Sequence, residues 1–205
     1  MLTNTVKNAI IIFVRNPVSG KVKTRLAKTI GDDKALLIYQ LLLEHTRQVT
    51  GNLHCDKFVY YSDHIDENDD WKNGLYKKRL QSAGDLGERM ANAFETLFTS
   101  GYQRLVIIGS DCLDLNSDLI NEAFNRLSEV NVVFGPSTDG GYYLLGLKVP
   151  YPPGLFENKS WSTDTVLPDS LKTLEATGTS YQLLIPLNDI DEESDLPASL
   201  LKRVN

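Results

Sequence analysis

The sequence contains little cysteine and histidine and no long hydrophobic run. Of its 205 residues, two are Cys and three are His, and Cys55 and Cys112 do not have the spacing of metal ligands. Two such cysteines are most simply reduced thiols, so we expect a cytoplasmic location. No apolar run approaches the ~20 residues that a membrane span needs. The apolar stretch 10–14 is too short for a signal peptide and is followed by Arg15.

The length and the periodicity of the chain favour one α/β domain over residues 1–205. Apolar strand patterns alternate with helical patterns along the whole length, and 41% of the residues are hydrophobic. This alternation favours a layered fold with a mostly parallel sheet. We predict strands at 8–14, 57–61, 105–108, 131–134, 142–147 and 181–186, helices from 32 and at 85–99, 117–127, 163–176 and 192–202, and a loop at 63–80.

Charge is distributed unevenly along the chain. The net charge of −6 argues against nucleic acid as a partner. The first 31 residues nevertheless carry six basic residues and no acidic one, whereas the remainder carries 15 basic and 27 acidic residues. A basic segment on an acidic body is a candidate site for a small anion, of which phosphate is the commonest.

Asp111 follows a strand that is predicted to be buried on both faces. In open α/β sheets, ligands bind at the carboxyl ends of the strands. A carboxylate there, without a His or Cys cluster nearby, suits Mg²⁺ or Mn²⁺ carrying a phosphorylated ligand. Alternatively, Asp111 only caps the turn into the next helix.

The loop after the first strand, residues 15–27, has the composition of a phosphate site. Backbone N–H groups and side-chain cations converge on an anion in such strand–loop–helix connections. The loop is not a Walker A motif, because Val22 follows Gly20-Lys21, and it contains no G-x-G-x-x-G. The candidate phosphate-binding residues are Arg15, Gly20, Lys21, Lys23 and Arg25. The alternative is a surface loop whose lysines contact only solvent.

A second glycine-containing segment begins the helix predicted at 85–99. Gly84 and Gly87 flank its first residues, which suits close approach of a nucleotide to the backbone. Asp85 with Glu88 three residues later resembles a capping box. Gly84 and Asp85 are therefore candidate nucleotide-binding residues, or Asp85 only caps the helix.

The segment 134–146 predicts a hairpin that is also a candidate substrate site. Asp139 and Gly140 between apolar runs are an ordinary hairpin turn. The doubled glycine, Gly140-Gly141, also suits close approach to a sugar, and Tyr142 can stack on a ring and donate a hydrogen bond. Trp161 either lines an acceptor pocket or fills a gap in the core.

Two acidic residues follow the last predicted strand. Asp189 and Asp191 alternate, so in an extended chain they face opposite ways, and one of them could join Asp111 around a cation. The alternative is an acidic helix N-terminus that the helix dipole favours.

Five segments in this order resemble one family across nearly the whole chain. They are N-P-V-S-G-K-V-K-T-R-L-A, G-D-L-G-E-R-M, I-G-S-D-C, G-P-S-T-D-G-G-Y-Y-L-L-G and D-I-D-x-x-x-D-L. Together they resemble the DUF2064 group, customarily named as glycosyltransferases, in the nucleotide-diphospho-sugar transferase (GT-A) superfamily. K-T-R-L and D-I-D also resemble 2-phospholactate guanylyltransferases. The chain departs from these patterns at Leu113, where the group commonly has Pro, and in lacking the G-G-x-G-x-R of sugar-nucleotide pyrophosphorylases.

The resemblance implies a fold and a metal site. The fold is a Rossmann-like three-layer αβα sandwich with the nucleotide over the first loop. Asp111 is then the metal-binding aspartate, and Asp191, with Asp189, supplies the second carboxylate position for Mg²⁺ or Mn²⁺.

Three functions follow as expectations. The first is glycosyl transfer from a nucleotide sugar to a small acceptor, with Asp111 and Lys23 as catalytic residues and Asp139 as the base. The second is nucleotidyl transfer from an NTP to a phosphorylated small molecule, with Lys21, Lys23 and Arg25 on the polyphosphate and pyrophosphate released. The third is a nucleotide-binding module without turnover.

Overall fold

The computed structural model describes residues 6–204. Strands in this part of the chain are β1 (Asn8–Val14), β2 (Asp56–Tyr61), β3 (Tyr76–Leu80), β4 (Arg104–Ile108), β5 (Val132–Pro136), β6 (Tyr142–Lys148) and β7 (Tyr181–Leu183). The α-helices are α1 (Thr24–Ile30), α2 (Asp32–Gly51), α3 (Leu86–Thr99), α4 (Ser117–Arg126), α5 (Val166–Ala176) and α6 (Ala198–Val204). None of these helices is long and apolar enough to cross a membrane.

The strands form one sheet in the order β3-β2-β1-β4-β6-β5-β7. Strand β6 runs antiparallel to its neighbours β4 and β5, and the other adjacent pairs are parallel. In the centre, Ile11 pairs with Phe58 on one side and with Ile107 on the other. The predicted α/β fold with a mostly parallel sheet is confirmed.

Helices cover both faces of the sheet. Successive side chains of a strand point to opposite faces, so a strand with a continuous apolar run packs against helices on both sides. Ile10 and Ile12 of β1 pack in the core with residues of α2 and α4. Ile11 packs on the other face with residues of α3 and α5. Helices α1 and α6 pack on α2 through a third cluster that includes Leu26 and Leu200. The result is the three-layer αβα sandwich that the resemblance implies.

The capping box predicted at the start of α3 is present. The Asp85 carboxylate accepts a hydrogen bond from the Glu88 N–H at 2.9 Å, and the Glu88 carboxylate accepts one from the Asp85 N–H at 2.8 Å. We expect Asp85→Ala to lower the free energy of unfolding by about 1 kcal/mol, measured by urea denaturation. Asp118→Ala is the control, because Asp118 lies in the first turn of α4 while Asn116 caps that helix. An equal loss in both variants would contradict a specific capping role for Asp85.

Four predicted elements need correction. The segment 63–80 is not all loop, because its end forms edge strand β3, a charged strand of which only Tyr76 is buried. The predicted helix 192–202 is a 3₁₀ turn (Glu193–Asp195) followed by α6. Pro197 separates them and favours the extended backbone of Leu196. The helix predicted from 163 begins at Val166, and the strand predicted to 186 ends at Leu183.

Candidate active site

A cavity of about 730 Å³ lies at the carboxyl-terminal ends of the parallel strands of the sheet. Its wall includes residues just beyond the carboxyl ends of four parallel strands and one at the start of antiparallel β6. From β1 the chain continues to β2 and β3 on one side, whereas β4 lies on the other side. The cavity is therefore at the point where the strand order reverses, which is where α/β sheets bind ligands. These strand-end residues are Asn16, Ser62, Gln81, Asp111 and Tyr142.

Lys23 joins three loops at the centre of this cavity. Its ammonium nitrogen lies 2.9 Å from Asp111 Oδ1 and 3.0 Å from Asp191 Oδ1, and its side chain is only 4% exposed. Lys23 precedes α1, and its backbone is left-handed, with φ 47° and ψ 45°. The loops after β1, β4 and β7 thus meet through one buried cation.

The C-terminal acidic segment is held alongside Asp111 by its backbone. The Ile190 N–H donates to the Asp111 carbonyl at 2.9 Å. The Asp195 carboxylate accepts from the N–H groups of Asp191 and Glu192, at 3.0 and 2.8 Å. Asp189 and Asp191 both line the cavity together with Asp111, the three residues that the resemblance assigns to the metal site. Asp195, the last acid of D-I-D-x-x-x-D-L, has a positioning role that the sequence analysis missed.

Negative charge is in excess around the Lys23 ammonium. Burial, together with the negative charges of the nearby Asp111 and Asp139 carboxylates, raises the pKa of Asp189 to about 7. Burial lowers the pKa of Lys23, but the charges of Asp111 and Asp191 outweigh burial and raise it overall. Lys23 is therefore positively charged at neutral pH.

The donor chemistry here suits a hard divalent cation. Carboxylate oxygens are the ligands that Mg²⁺ prefers, and the three acids Asp111, Asp189 and Asp191 outnumber the one ammonium among them. Residues 6–204 nevertheless contain no ready group of three His, Cys, Asp or Glu side chains arranged to hold a metal ion. The Asp111 and Asp191 carboxylates are bridged by Lys23 instead. Metal binding stays a prediction.

The predicted phosphate-binding cations line the same cavity. Arg15, Lys21 and Arg25 are on its wall together with Lys23. The Tyr39 hydroxyl fixes the Arg15 backbone, accepting from its N–H at 2.8 Å and donating to its carbonyl at 3.1 Å. These cations form a positively charged wall beside the acids. Gly20 lies outside the wall, in the turn before it, where its φ of 75° suits glycine.

Several residues that the sequence analysis did not select also line the cavity, among them Arg89 and Asn16. Arg89 donates from Nε to the Gly84 carbonyl at 2.9 Å and adds a further cation. The sequence feature that could have identified Arg89 is its position four residues after Asp85, which puts the two residues on one face of α3. Asn16 is buried and accepts from the N–H groups of Asp63 and His64, at 3.1 and 3.3 Å. Only the tertiary structure reveals that contact.

Tyr142 lines the cavity, whereas three other residues predicted to bind nucleotide or substrate, Gly84, Asp85 and Trp161, do not. Tyr142 lines the cavity, with its hydroxyl 3.9 Å from the Met90 sulfur. Gly84 and Asp85 lie outside the wall, at the start of α3. Trp161 is also outside the wall and packs with the core on the α3 side.

The hairpin turn before β6 is occupied by its own hydrogen bonds and contacts. One oxygen of Asp139 accepts from the Ser137 hydroxyl and from the Gly141 N–H, the latter at 2.9 Å. A Cβ atom on Gly140 would lie 2.2 Å from the Asp164 carbonyl oxygen. Asp139, Gly140 and Gly141 are not on the cavity wall. The role of Asp139 as the catalytic base and the roles of Gly140 and Gly141 in substrate binding stay predictions. The hairpin turn itself accounts for the contacts that these residues make.

The fold and the placement of this cavity define a class, the nucleotide-diphospho-sugar transferase fold. A solved structure described as a "putative nucleotide-diphospho-sugar transferase" from Desulfovibrio desulfuricans G20 has a TM-score of 0.85 and 28% identity, covering 96% of this chain and 94% of that one. Residues 45–163 match the model of DUF2064, described as an uncharacterized protein conserved in bacteria. Because the match spans more than half of the chain, this protein belongs to the DUF2064 family.

More distant structures share the fold alone. The 4-diphosphocytidyl-2C-methyl-D-erythritol synthase from Anaerococcus prevotii DSM 20548 has a TM-score of 0.59 at 10% identity, covering 92% of each chain. CMP:2-keto-3-deoxy-manno-octonic acid synthetase complexed with CTP has a TM-score of 0.58 at 10% identity, covering 97% of each chain. No curated protein matches this chain by sequence. The predicted family, fold and transferase class are confirmed.

Proposed function

We propose that the protein transfers a glycosyl group from a nucleoside-diphosphate sugar to a hydroxyl of a small acceptor, with the help of Mg²⁺ or Mn²⁺. The observation that carries the proposal is the meeting of Lys23, Asp111 and Asp191 at the point where the strand order reverses. A cationic wall beside a carboxylate pair is the combination that a metal-bound diphosphate needs. A nucleotide donor and the two free thiols agree with the cytoplasmic location that the sequence predicts.

The cationic wall holds the donor. The diphosphate oxygens are bound by Arg15, Lys21 and Arg25. Each arginine can donate two parallel hydrogen bonds to a phosphate group, whereas the lysine ammonium acts as a point charge. Asp111 and Asp191 would hold the divalent cation, which would neutralise the charge of the leaving diphosphate. Positioning and neutralisation provide most of the rate enhancement in this scheme.

The acceptor hydroxyl needs a group that takes its proton, and Asp189 is better placed for this than Asp139. Asp189 lines the cavity, as does Tyr142. Asp139 lies off the wall, with one oxygen engaged by the turn. We therefore assign the proton acceptor to Asp189 in this proposal and retain Asp139 as a residue that shapes the turn.

Nucleotidyl transfer is the second candidate, and the number of cations favours it. Besides Lys23, the cavity wall carries four cations, Arg15, Lys21, Arg25 and Arg89, which match the greater negative charge of a triphosphate. In that reaction a phosphate of the acceptor attacks the α-phosphorus of an NTP and pyrophosphate leaves. A phosphate nucleophile is already ionised, so this reaction gives Asp189 no proton to accept.

A ligand panel tests the proposal directly. We expect one nucleotide sugar to raise the melting temperature in the presence of Mn²⁺ and less in its absence. A ligand at ~100 times its Kd stabilises the native state by ~2.7 kcal/mol, which is readily detected. The panel contains nucleotide sugars, NDPs and NTPs with each common base. The stabilising donor is then incubated with candidate acceptors, and released NDP and pyrophosphate are quantified.

The products separate the candidates. Release of NDP from a nucleotide sugar supports glycosyl transfer. Release of pyrophosphate from an NTP would contradict glycosyl transfer and support nucleotidyl transfer. Stabilisation by a nucleotide that is unaffected by Mn²⁺ and accompanied by no product would favour the binding module without turnover.

A further inference from the structure

The Lys23 ammonium occupies the space between two carboxylates that the proposed function assigns to a divalent cation. Its nitrogen lies about equally far from Asp111 Oδ1, at 2.9 Å, and from Asp191 Oδ1, at 3.0 Å. Magnesium binds carboxylate oxygens at about 2.1 Å, so a cation shared by these two oxygens would meet the ammonium and its positive charge. Lys23 and a divalent cation therefore compete for the same pair.

We propose that Lys23 is an internal counterion that keeps the Asp111–Asp191 pair closed to divalent cations until nucleotide phosphates draw the lysine away. This inference rests on the proposed function and adds to it an order of binding. The free protein takes up divalent cations weakly, and metal and nucleotide bind cooperatively.

The burial of Lys23 explains why the exchange requires an anion. The side chain is 4% exposed, so without the two carboxylates its charge would be buried and unpaired, which is strongly unfavourable. Phosphate oxygens of a nucleotide bound beside Lys21 and Arg25, which line the same cavity, would provide a replacement partner. Because such coupling is reciprocal, the nucleotide strengthens metal binding by the same factor as the metal strengthens nucleotide binding.

The exchange needs movement of a side chain only. The Lys23 carbonyl accepts from the Ala27 N–H at 2.8 Å, which ties the backbone of this residue to α1. The lysine side chain has a flexible four-carbon stem, so the ammonium can reach a new partner while α1 stays in place. Arg25 Nη1, 3.8 Å from Asp191 Oδ2, remains beside the acid when Lys23 leaves.

The test is Mn²⁺ binding in the absence of nucleotide, measured by electron paramagnetic resonance. Lys23→Met keeps the length of the side chain and removes its charge, and we expect it to bind Mn²⁺ about tenfold more tightly than the wild type. Lys28→Met is the matched control, because it removes the same charge from α1 at a residue off the wall of the main cavity. We expect K28M to bind Mn²⁺ as weakly as the wild type.

A second measurement uses the wild-type protein and so does not depend on the folding of K23M. The Lys23 ammonium should give a slowly exchanging NMR signal because it is buried and doubly paired. We expect Mg²⁺ alone to leave this signal unchanged at concentrations at which Mg²⁺ with the donor nucleotide abolishes its protection.

Each outcome is decisive. Equal Mn²⁺ affinities of wild type and K23M, or loss of the Lys23 signal with Mg²⁺ alone, would overturn the exchange and leave the transfer function intact. Absence of Mn²⁺ binding in all three proteins, with or without the stabilising nucleotide, would overturn the exchange together with the metal site.

Discussion

Asp111→Asn is expected to lower the rate of transfer by about a thousandfold or more. The substitution keeps the shape of the side chain and removes the charge that, with Asp191, would hold the divalent cation. Loss of one preorganised charge in an enclosed site commonly costs ~10²–10³ in rate, and loss of a metal costs more. The measurement is NDP or pyrophosphate release with the donor that the ligand panel identifies. The same variant should lose the Mn²⁺-dependent part of the thermal shift.

Asp114→Asn is the control for this prediction. Asp114 lies three residues after Asp111 in the connection that follows β4, is exposed and lies off the cavity wall. Its substitution should leave the rate within about twofold, as surface changes away from a site usually do. If D111N retained more than a tenth of the wild-type rate while folded, Asp111 would not be the metal-binding aspartate.

Gly140→Ala is expected to destabilise the protein by about 2–5 kcal/mol. Two effects add at this position. The backbone has φ 89°, a left-handed conformation that costs a residue with a Cβ atom about 1–2 kcal/mol. The new Cβ atom would also lie 2.2 Å from the Asp164 carbonyl oxygen, a main-chain atom, and overpacking of this kind costs about 1–3 kcal/mol. Urea denaturation measures the sum.

Gly178→Ala separates the two effects. Gly178 also has a positive φ, of 63°, but a Cβ atom there would meet nothing within 4 Å. We expect this variant to lose only the conformational part, about 1–2 kcal/mol. Similar losses at the two positions would show that the contact with Asp164 does not constrain the hairpin turn. The Leu167 N–H donates to the Gly140 carbonyl at 3.0 Å, so G140A should also disturb the start of α5.

Elements with strong local patterns were predictable from the sequence. Strand β1 has the predicted bounds because its run of apolar side chains is buried on both faces of the sheet. Helix α3 has the predicted cap because Asp85 and Glu88 stand at capping-box spacing. Strand β3 was missed because an edge strand exposes its polar side chains and so lacks the apolar pattern of a buried strand.

The chemical groups of the candidate site could be predicted from the sequence. It placed a basic loop after the first strand, Asp111 after the strand 105–108, and two acids near the C-terminus. Which of these residues meet depends on how the chain folds. Lys23 contacts Asp191, 168 positions along the chain, because the strand order brings their loops to one edge of the sheet. Helical and strand periodicities describe neighbours within a few residues, so they carry no information about such a pair.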